Sequence, residues 1–353
     1  MPFSDYTERK HRMNLQRYGR QIEEIYATAV REVAAIGSSV YLFDPSRPFT
    51  FKDYPQTHAR INSLLSRMQQ DIQIVIVNGI DAEWTLCNNK NSELANWVFG
   101  KALKNLPQSA VSRYYNNNEA AREAFLSRKY DGLGLSDRVW KYSKQFQQEI
   151  EMGLDLGIRN GLSAEEIARD LRQYLNQPDK LFRRVRDEHG QLQLSKNAAA
   201  YNPGAGVYRS SHKNAVRLAR TETNMAYRTS DNTRWEQLTF VVGQQVSLSG
   251  NHPVHDICDI LAGKYPKSFL FRGWHPNCMC FATPILKTTE ELKAETQRII
   301  SGENVSTESR NEITTVPAGF RSWVKENEGR ISAAKHEPYF IQDNRQFFSM
   351  LTN

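Results

Sequence analysis

The chain carries NHPVHDIC at residues 251–258 and WHPNCMC at residues 274–280. These two stretches hold three of the four cysteines and three of the eight histidines of the sequence. Such clustering in a cysteine-poor chain favours metal binding over packing, because thiolate and imidazole ligands together select zinc. A metal held here would fix the intervening loop without requiring a large apolar core.

The ligand spacing predicts which side chains would hold the zinc. His255 and Cys258 form a His-x-x-Cys pair, and Cys278 and Cys280 form a Cys-x-Cys pair. The two pairs can close a tetrahedral site, with His275 as the second choice of histidine. We expect a structural site rather than a catalytic one, since four such ligands require no open position.

Two other interpretations of these cysteines stay open. A disulfide could link two of them, although three is an odd number and the polar, charged stretch Met1 to Lys10 argues against a secretory signal peptide. Free buried cysteines beside hydrogen-bonded histidines are the other interpretation. Cysteine usage and the lack of an export signal predict a reducing cytoplasm, at least during synthesis.

The length and the net charge of the chain limit the classes of protein to which it can belong. The 353 residues suffice for two or three domains, and the apolar content is that of a globular chain. No apolar run approaches the ~18–20 residues of a membrane helix, so we expect no membrane association. The net charge of +7 and the pI of about 9.1 favour anionic partners, such as nucleic acid or an acidic protein surface.

The N-terminal half has helical periodicity. Apolar residues recur at alternating spacings of three and four from Leu15 to Ile36, which predicts one long amphipathic helix. A second helical region covers about Gln56 to Lys104, with an interruption near Asn78 to Asp81. A stripe as long as the first must be covered by another helix of this chain or by a partner, so it is the candidate docking element.

Caps and turn residues mark further elements. One helix is predicted to begin at Arg138, capped by Ser136-Asp137, and another to begin at Ser163 through a capping box. Leu181 to Leu194 alternates around a polar turn, which predicts a basic hairpin.

The most regular helical pattern covers about Val207 to Gln237. Glu222 lies in the middle of its apolar sector, and we expect a structural ion pair there, with a general base as the alternative. The opposite sector is basic, either a solvated face or a surface for DNA or a partner protein. The candidate contact residues are Arg209, Lys213, Arg217, Arg220 and Arg228.

Part of this helix and the second cysteine stretch resemble a known family. The run Arg217-Leu218-Ala219-Arg220-Thr221-Glu222-Thr223-Asn224 is followed some fifty residues later by His275-Pro276-Asn277-Cys278-Met279-Cys280. Together they resemble the phage Mu protein F-like family of tailed-phage minor head, or head morphogenesis, proteins. The resemblance covers roughly Leu135 to Ile285.

The chain departs from the family pattern at two positions. The family has Cys-x-x-Cys followed five residues on by Gly, and Cys258 and Gly263 match the second Cys and that Gly. His255 stands at the first Cys, an exchange of one zinc ligand for another. Met279 stands where the family has Arg, which removes a charge but no ligand.

The resemblance implies a fold and a function. We expect an α+β protein with a mainly helical N-terminal half and a zinc-stapled Mu F-like module. The expected regions are 1–134 for helical docking, 135–286 for the module and 287–353 for a helical extension with a polar tail. The implied function is that of a non-enzymatic minor capsid protein. Its partners would be the portal protein, the major capsid or head shell and packaged DNA, in the virion head after assembly in the host cytoplasm.

Two other function classes compete with this one. A zinc-stapled nucleic-acid-binding protein would explain the positive charge. A metal-dependent nuclease, or a toxin-associated protein, would use the histidines and neighbouring acids. Its candidate residues are His252, His255, His275, Asp256 and Asp259.

Overall fold

The computed structural model of the chain describes residues 2–37, 40, 44, 49–178, 184–186, 188–194, 199–204, 206–250, 255–305, 308–334 and 336–347. The chain forms two compact units, each assembled from separate stretches of sequence. Unit 1 contains Met1–Leu15, Gly79–Leu126 and Thr221–Asn353. Unit 2 contains Gln16–Asn78 and Ser127–Arg220.

Helices dominate both units. Their bounds are α1 Pro2–Gly37, α2 Pro55–Phe99, α3 Gln108–Tyr114, α4 Glu119–Ser127, α5 Leu135–Arg159, α6 Ala164–Asn176, α7 Ser211–Gln237, α8 Ile257–Leu261, α9 Thr289–Ser301, α10 Ala318–Ala333 and α11 Tyr339–Gln342. Among the described residues, no helix combines the length and the apolarity that a membrane crossing needs.

The strands form two small antiparallel sheets. The bounds are β1 Arg184–Arg186, β2 Leu192–Leu194, β3 Val241–Ser247, β4 Gly263–Tyr265 and β5 Phe281–Leu286. Strands β1 and β2 pair as the predicted hairpin, and the second sheet has the order β4-β3-β5. A mostly helical chain with a small antiparallel sheet confirms the α+β prediction at that level.

The apolar stripe of α1 is buried by the chain itself. Ile22 and Val33 are 0 % exposed. In unit 2 the ring of Tyr26 packs edge-on against Phe146 of α5, with centroids 5.2 Å apart. The prediction of a helix here is confirmed, and helices of the same chain cover its apolar stripe. Docking of the N-terminal region on a partner stays a prediction.

Two predicted helix boundaries need correction. Helix α2 runs without a break through 78–81, because buried Ile76 and Ile80 continue the packed face on both sides of Gly79. Helix α5 begins at Leu135, three residues before the predicted start at Arg138. Gly134 is its N-cap residue, and its backbone N–H donates to the side chain of Asp137.

The capping box of α6 is confirmed. The backbone N–H of Glu166 donates to Ser163 Oγ, and the Glu166 carboxylate accepts from the backbone N–H of Ser163.

The predicted regions are contiguous in sequence, whereas the compact units are not. Residues from 287–353 belong to unit 1 together with the cysteine stretches. The buried Asn344 side chain accepts from the backbone N–H of Leu270 and donates to the Leu270 carbonyl. This segment therefore supports the loop between β4 and β5, and the division into three regions stays a prediction.

Candidate metal centre

Three cysteines of unit 1 form a cluster, which we call the cysteine cluster: Cys258, Cys278 and Cys280. Each is at most 2 % exposed, and their sulfur atoms all lie within 4.8 Å of one another. The sulfurs of Cys258 and Cys278 are 3.8 Å apart. Side chains separated by 20 residues in the sequence therefore converge on a site that could bind a metal ion.

Local structure fixes each thiol. Cys258 lies in the first turn of α8, where the N-cap Asp256 accepts from its backbone N–H. Cys280 directly precedes β5, and Cys278 lies in a turn in which its N–H donates to the His275 carbonyl. Gly273 has φ of +107°, and a Cβ there would lie 3.1 Å from the Cys278 Cβ, so this turn favours glycine.

His275 is the histidine that joins the cluster. Its Nε2 lies 3.2 Å from the Cys258 sulfur, and its Nδ1 lies 2.9 Å from the Pro276 carbonyl. A carbonyl only accepts, so Nδ1 carries the hydrogen, and in the neutral ring Nε2 presents its lone pair towards the thiols. A hydrogen bond of this kind commonly orients a metal-ligating histidine.

His255 is not part of the cluster. Its side chain is 83 % exposed, and its Nδ1 pairs with Asp259 at 3.2 Å. The His-x-x-Cys spacing suggested His255 first, but α8 begins between the two residues and leaves the histidine outside. The order of the two histidines was therefore wrong. His252, the third histidine of the nuclease hypothesis, lies outside the described residues.

Asp256 is a site residue that the ligand prediction missed. One of its carboxylate oxygens lies 3.4 Å from His275 Nε2, while the other caps α8. It forms a potential metal-binding group with Cys258 and His275. Its position directly before a short helix was the sequence signal, because Asp is a favoured N-cap.

The electrostatics of the cluster favour a single thiolate. Hydrogen bonds from Cys258 and Cys280 lower the pKa of Cys278 well below its ordinary value. The hydrogen bond with Cys278, followed by the one with Cys280 and by burial, raises the pKa of Cys258. A cation that replaced the shared protons would allow all three sulfurs to bind as thiolates.

The structure contradicts the disulfide interpretation. All four cysteines are free and buried. The fourth, Cys87, lies elsewhere in unit 1, where its thiol contacts Asp231 at 3.1 Å and burial raises its pKa.

The run Arg217–Asn224 of α7, which we call the Arg-Thr-Glu helix, contacts the second cysteine stretch through its residues in unit 1. Thr221 Oγ1 accepts from the backbone N–H of Asn277 at 3.0 Å, and Asn224 Nδ2 donates to the Cys278 carbonyl at 3.1 Å. Neither role was predicted, because a sequence pattern does not show which backbone atoms a polar side chain will meet.

Glu222 is 2 % exposed, so its predicted burial is confirmed. Its ion pair stays a prediction.

The five residues of the predicted basic face differ in their exposure to solvent. Arg209 is exposed, and Lys213, Arg217 and Arg220 are half-buried. Arg228 is only 3 % exposed, and its guanidinium donates two hydrogen bonds to Glu8, at 2.9 and 3.0 Å. Arg228 is therefore a core residue and not a DNA or partner contact.

A buried charge network, defined by Glu8, Lys90, Arg228 and Asp231, surrounds that arginine in unit 1. Lys90 Nζ lies 2.6 Å from Asp231 and 3.6 Å from Glu8. Two acids thus balance two bases without solvent, which is how buried charges are tolerated.

Comparison of the chain with protein-family models, curated proteins and solved structures finds no match. The features of the molecule that bear on function are therefore the two cysteine stretches, the Arg-Thr-Glu helix and the contacts that join them.

Proposed function

We propose that this chain is a structural minor capsid, or head morphogenesis, protein of a tailed phage or prophage, stapled by zinc. The observation that carries the proposal is the meeting of the two resembling stretches. Thr221 and Asn224 of the Arg-Thr-Glu run bond the backbone on either side of the Asn277–Cys278 peptide. Residues that share one packed site are better support than two separate motif matches.

The proposed zinc ligands are Cys258, Cys278, Cys280 and His275. With zinc–sulfur bonds of about 2.3 Å, a tetrahedral ion separates two sulfurs by ~3.8 Å. The Cys258 and Cys278 sulfurs are 3.8 Å apart. Three thiolates and an imidazole make a closed structural set, which favours a scaffold over a catalyst.

Metal analysis tests whether the chain binds zinc at this site. Protein purified without chelators should carry about one zinc per chain, and Cys278→Ala should lose it. Cys87→Ala is the matched control, because Cys87 is also buried in unit 1 but lies outside the cluster. Zinc below a tenth of an equivalent in the wild-type chain would rule out the staple.

The assembly role needs a separate test. Minor capsid genes are expected to lie beside genes for a portal and a terminase. The chain, expressed with that portal and major capsid protein, should sediment with the particles. Absence of such neighbours, or exclusion of the chain from particles, would contradict the proposal.

Nucleic-acid binding is the second candidate, and the distribution of charge supports it. Unit 2 contains 24 lysines and arginines against 17 acids, whereas unit 1 contains 22 of each. The whole excess positive charge of the protein thus belongs to unit 2. A polyanion such as packaged DNA would be attracted to that unit first.

A further inference from the structure

A continuous chain of buried side chains links the first turns of α1 to the cysteine cluster. Asn224, whose amide donates to the Cys278 carbonyl, also places its Oδ1 2.9 Å from Nε2 of His11. Nδ1 of His11 lies 2.5 Å from the carboxylate of Glu83 in α2, and Asn14 Nδ2 donates to the same carboxylate at 2.8 Å. All of these residues belong to unit 1.

In this series of hydrogen bonds, the donor and the acceptor of each bond between Cys278, Asn224 and His11 are fixed. The Cys278 carbonyl only accepts, so Asn224 must turn its NH₂ towards it and its Oδ1 towards His11. An amide oxygen also only accepts, so His11 must carry a hydrogen on Nε2. The position of the metal-binding turn therefore determines the orientation of Asn224, which in turn requires a hydrogen on His11 Nε2.

Burial and stacking leave the imidazole little freedom. His11 is 1 % exposed and Glu83 is 0 % exposed. The His11 ring stacks on Tyr227 with centroids 4.1 Å apart and planes 16° apart. The Tyr227 hydroxyl donates to Glu8, one helical turn before His11 on α1. If the hydrogen bond to Asn224 is broken, buried polar groups are left without partners, which is costly in a dry interior.

We propose that His11 is a positioning residue for the metal centre, acting through Asn224, and that metal binding and ordering of residues 2–15 of α1 form one cooperative event. The inference rests on the proposed zinc site and deepens it, since it assigns the site a second layer of support from the N-terminal helix. Groups that orient metal ligands typically contribute about 10–100-fold to metal affinity. The N-terminal segment would then respond to the metal state of a loop more than 260 residues away in sequence.

The first test measures zinc affinity of the full chain by competition with a chromophoric chelator. His11→Ala should weaken zinc binding about 10–100-fold. Leu94→Ala is the matched control, because Leu94 is similarly buried in unit 1 but lies outside both residues 2–15 and the hydrogen-bonded network. It should lower the melting temperature while leaving zinc affinity within about two-fold. Equal zinc affinity for His11→Ala and the wild-type chain would overturn the coupling.

The second test needs no variant and so does not depend on whether His11→Ala folds. Hydrogen exchange of the wild-type chain is measured with zinc and after chelation. Amides in residues 5–15 should exchange at least ten-fold faster after chelation, while residues 18–34 of the same helix, in unit 2, should change little. Unchanged exchange in 5–15 despite loss of bound zinc overturns the coupling alone. A wild-type chain that takes up no zinc overturns the metal proposal and this inference together.

Discussion

The two halves of α7 have the same kind of sequence and opposite environments. In Ser211–Arg220, which belongs to unit 2, the basic residues remain half-exposed, and Arg217 lies over the ring of the exposed Tyr208 at 4.7 Å. In the half from Thr221 onwards, which belongs to unit 1, Arg228 and Asp231 are almost fully buried. Both halves show arginines at helical spacing on the side opposite the apolar residues.

The difference shows what periodicity can and cannot predict. A 100° step per residue gives the direction in which a side chain leaves the helix. It does not say whether solvent or another element lies in that direction. Arg228 points away from the apolar sector and still meets Glu8 of α1, because unit 1 includes the start of α1 as well as this half of α7. A buried polar network cannot be distinguished from a solvated face by spacing alone.

The largest effect should come from breaking the buried charge network. Arg228→Ala leaves Glu8 buried without its bidentate partner and should lower the free energy of unfolding by about 3–5 kcal/mol. Arg217→Ala, in the other half of α7, removes a cation–π contact and hydrogen bonds to Gly206 and Asn214 at a half-exposed position, and should cost only about 1 kcal/mol. Chemical denaturation of both variants measures the contrast, and equal decreases in stability would mean that the two halves of the helix are energetically alike.

Glu222 lies close to the point where the two halves of α7 join, and its contribution to stability can be compared with that of an exposed glutamate on the same helix. Glu222→Ala should cost roughly 3 kcal/mol, because a buried ionic partner would be left uncompensated. Glu236→Ala, at an exposed position near the end of the same helix, should change the stability by no more than about 0.5 kcal/mol. A melting temperature that Glu222→Ala leaves unchanged would contradict the predicted ion pair.

The buried charge network should also make the stability of unit 1 depend on pH. Burial alone would raise the pKa of Glu8, but the charges of Arg228 and Lys90 outweigh it and lower the pKa well below the ordinary 4.5. A carboxylate with a depressed folded pKa contributes stability above its unfolded pKa, and this contribution is lost as pH falls towards the folded value. The wild-type chain should therefore lose stability as pH falls below about 4.5.

The matching variant is Glu8→Gln, which cannot titrate. Its deficit relative to wild type should be greatest at neutral pH and should shrink as pH falls below about 4.5, because only the wild-type chain must take up the proton. Denaturation at several pH values measures this difference. A deficit that stays constant down to about pH 2 would show that Glu8 does not carry the predicted linkage.

Local chemistry explains which features the sequence could predict. The α6 cap follows from two neighbouring residues, Ser163 and Glu166, and needs no knowledge of the fold. The three cysteines were recognisable as a group because few residue types bind metal in such a pattern. The choice between His255 and His275 depended instead on where α8 begins, and the partners of Arg228 and Asn224 lie more than 200 residues away in α1. Long-range polar contacts of this kind leave no periodic trace in a single sequence.

A small effect on stability is expected for Arg217→Ala, although its effect on a nucleic-acid partner would be the largest. Arg217 donates to the Gly206 carbonyl and stacks on Tyr208, so Arg217→Ala should leave unit 2 folded. If the positive excess of unit 2 binds DNA, the slope of log affinity against log salt should fall by about 0.9 for each phosphate that a variant no longer neutralises. Arg321→Ala, an exposed arginine of the electrically balanced unit 1, should leave the slope unchanged. Equal slopes for wild type and both variants would remove Arg217 from any DNA surface. Equal reductions of the slope in both variants would show that arginines of both units contribute to DNA binding. The difference in charge between the two units would then not determine where DNA binds.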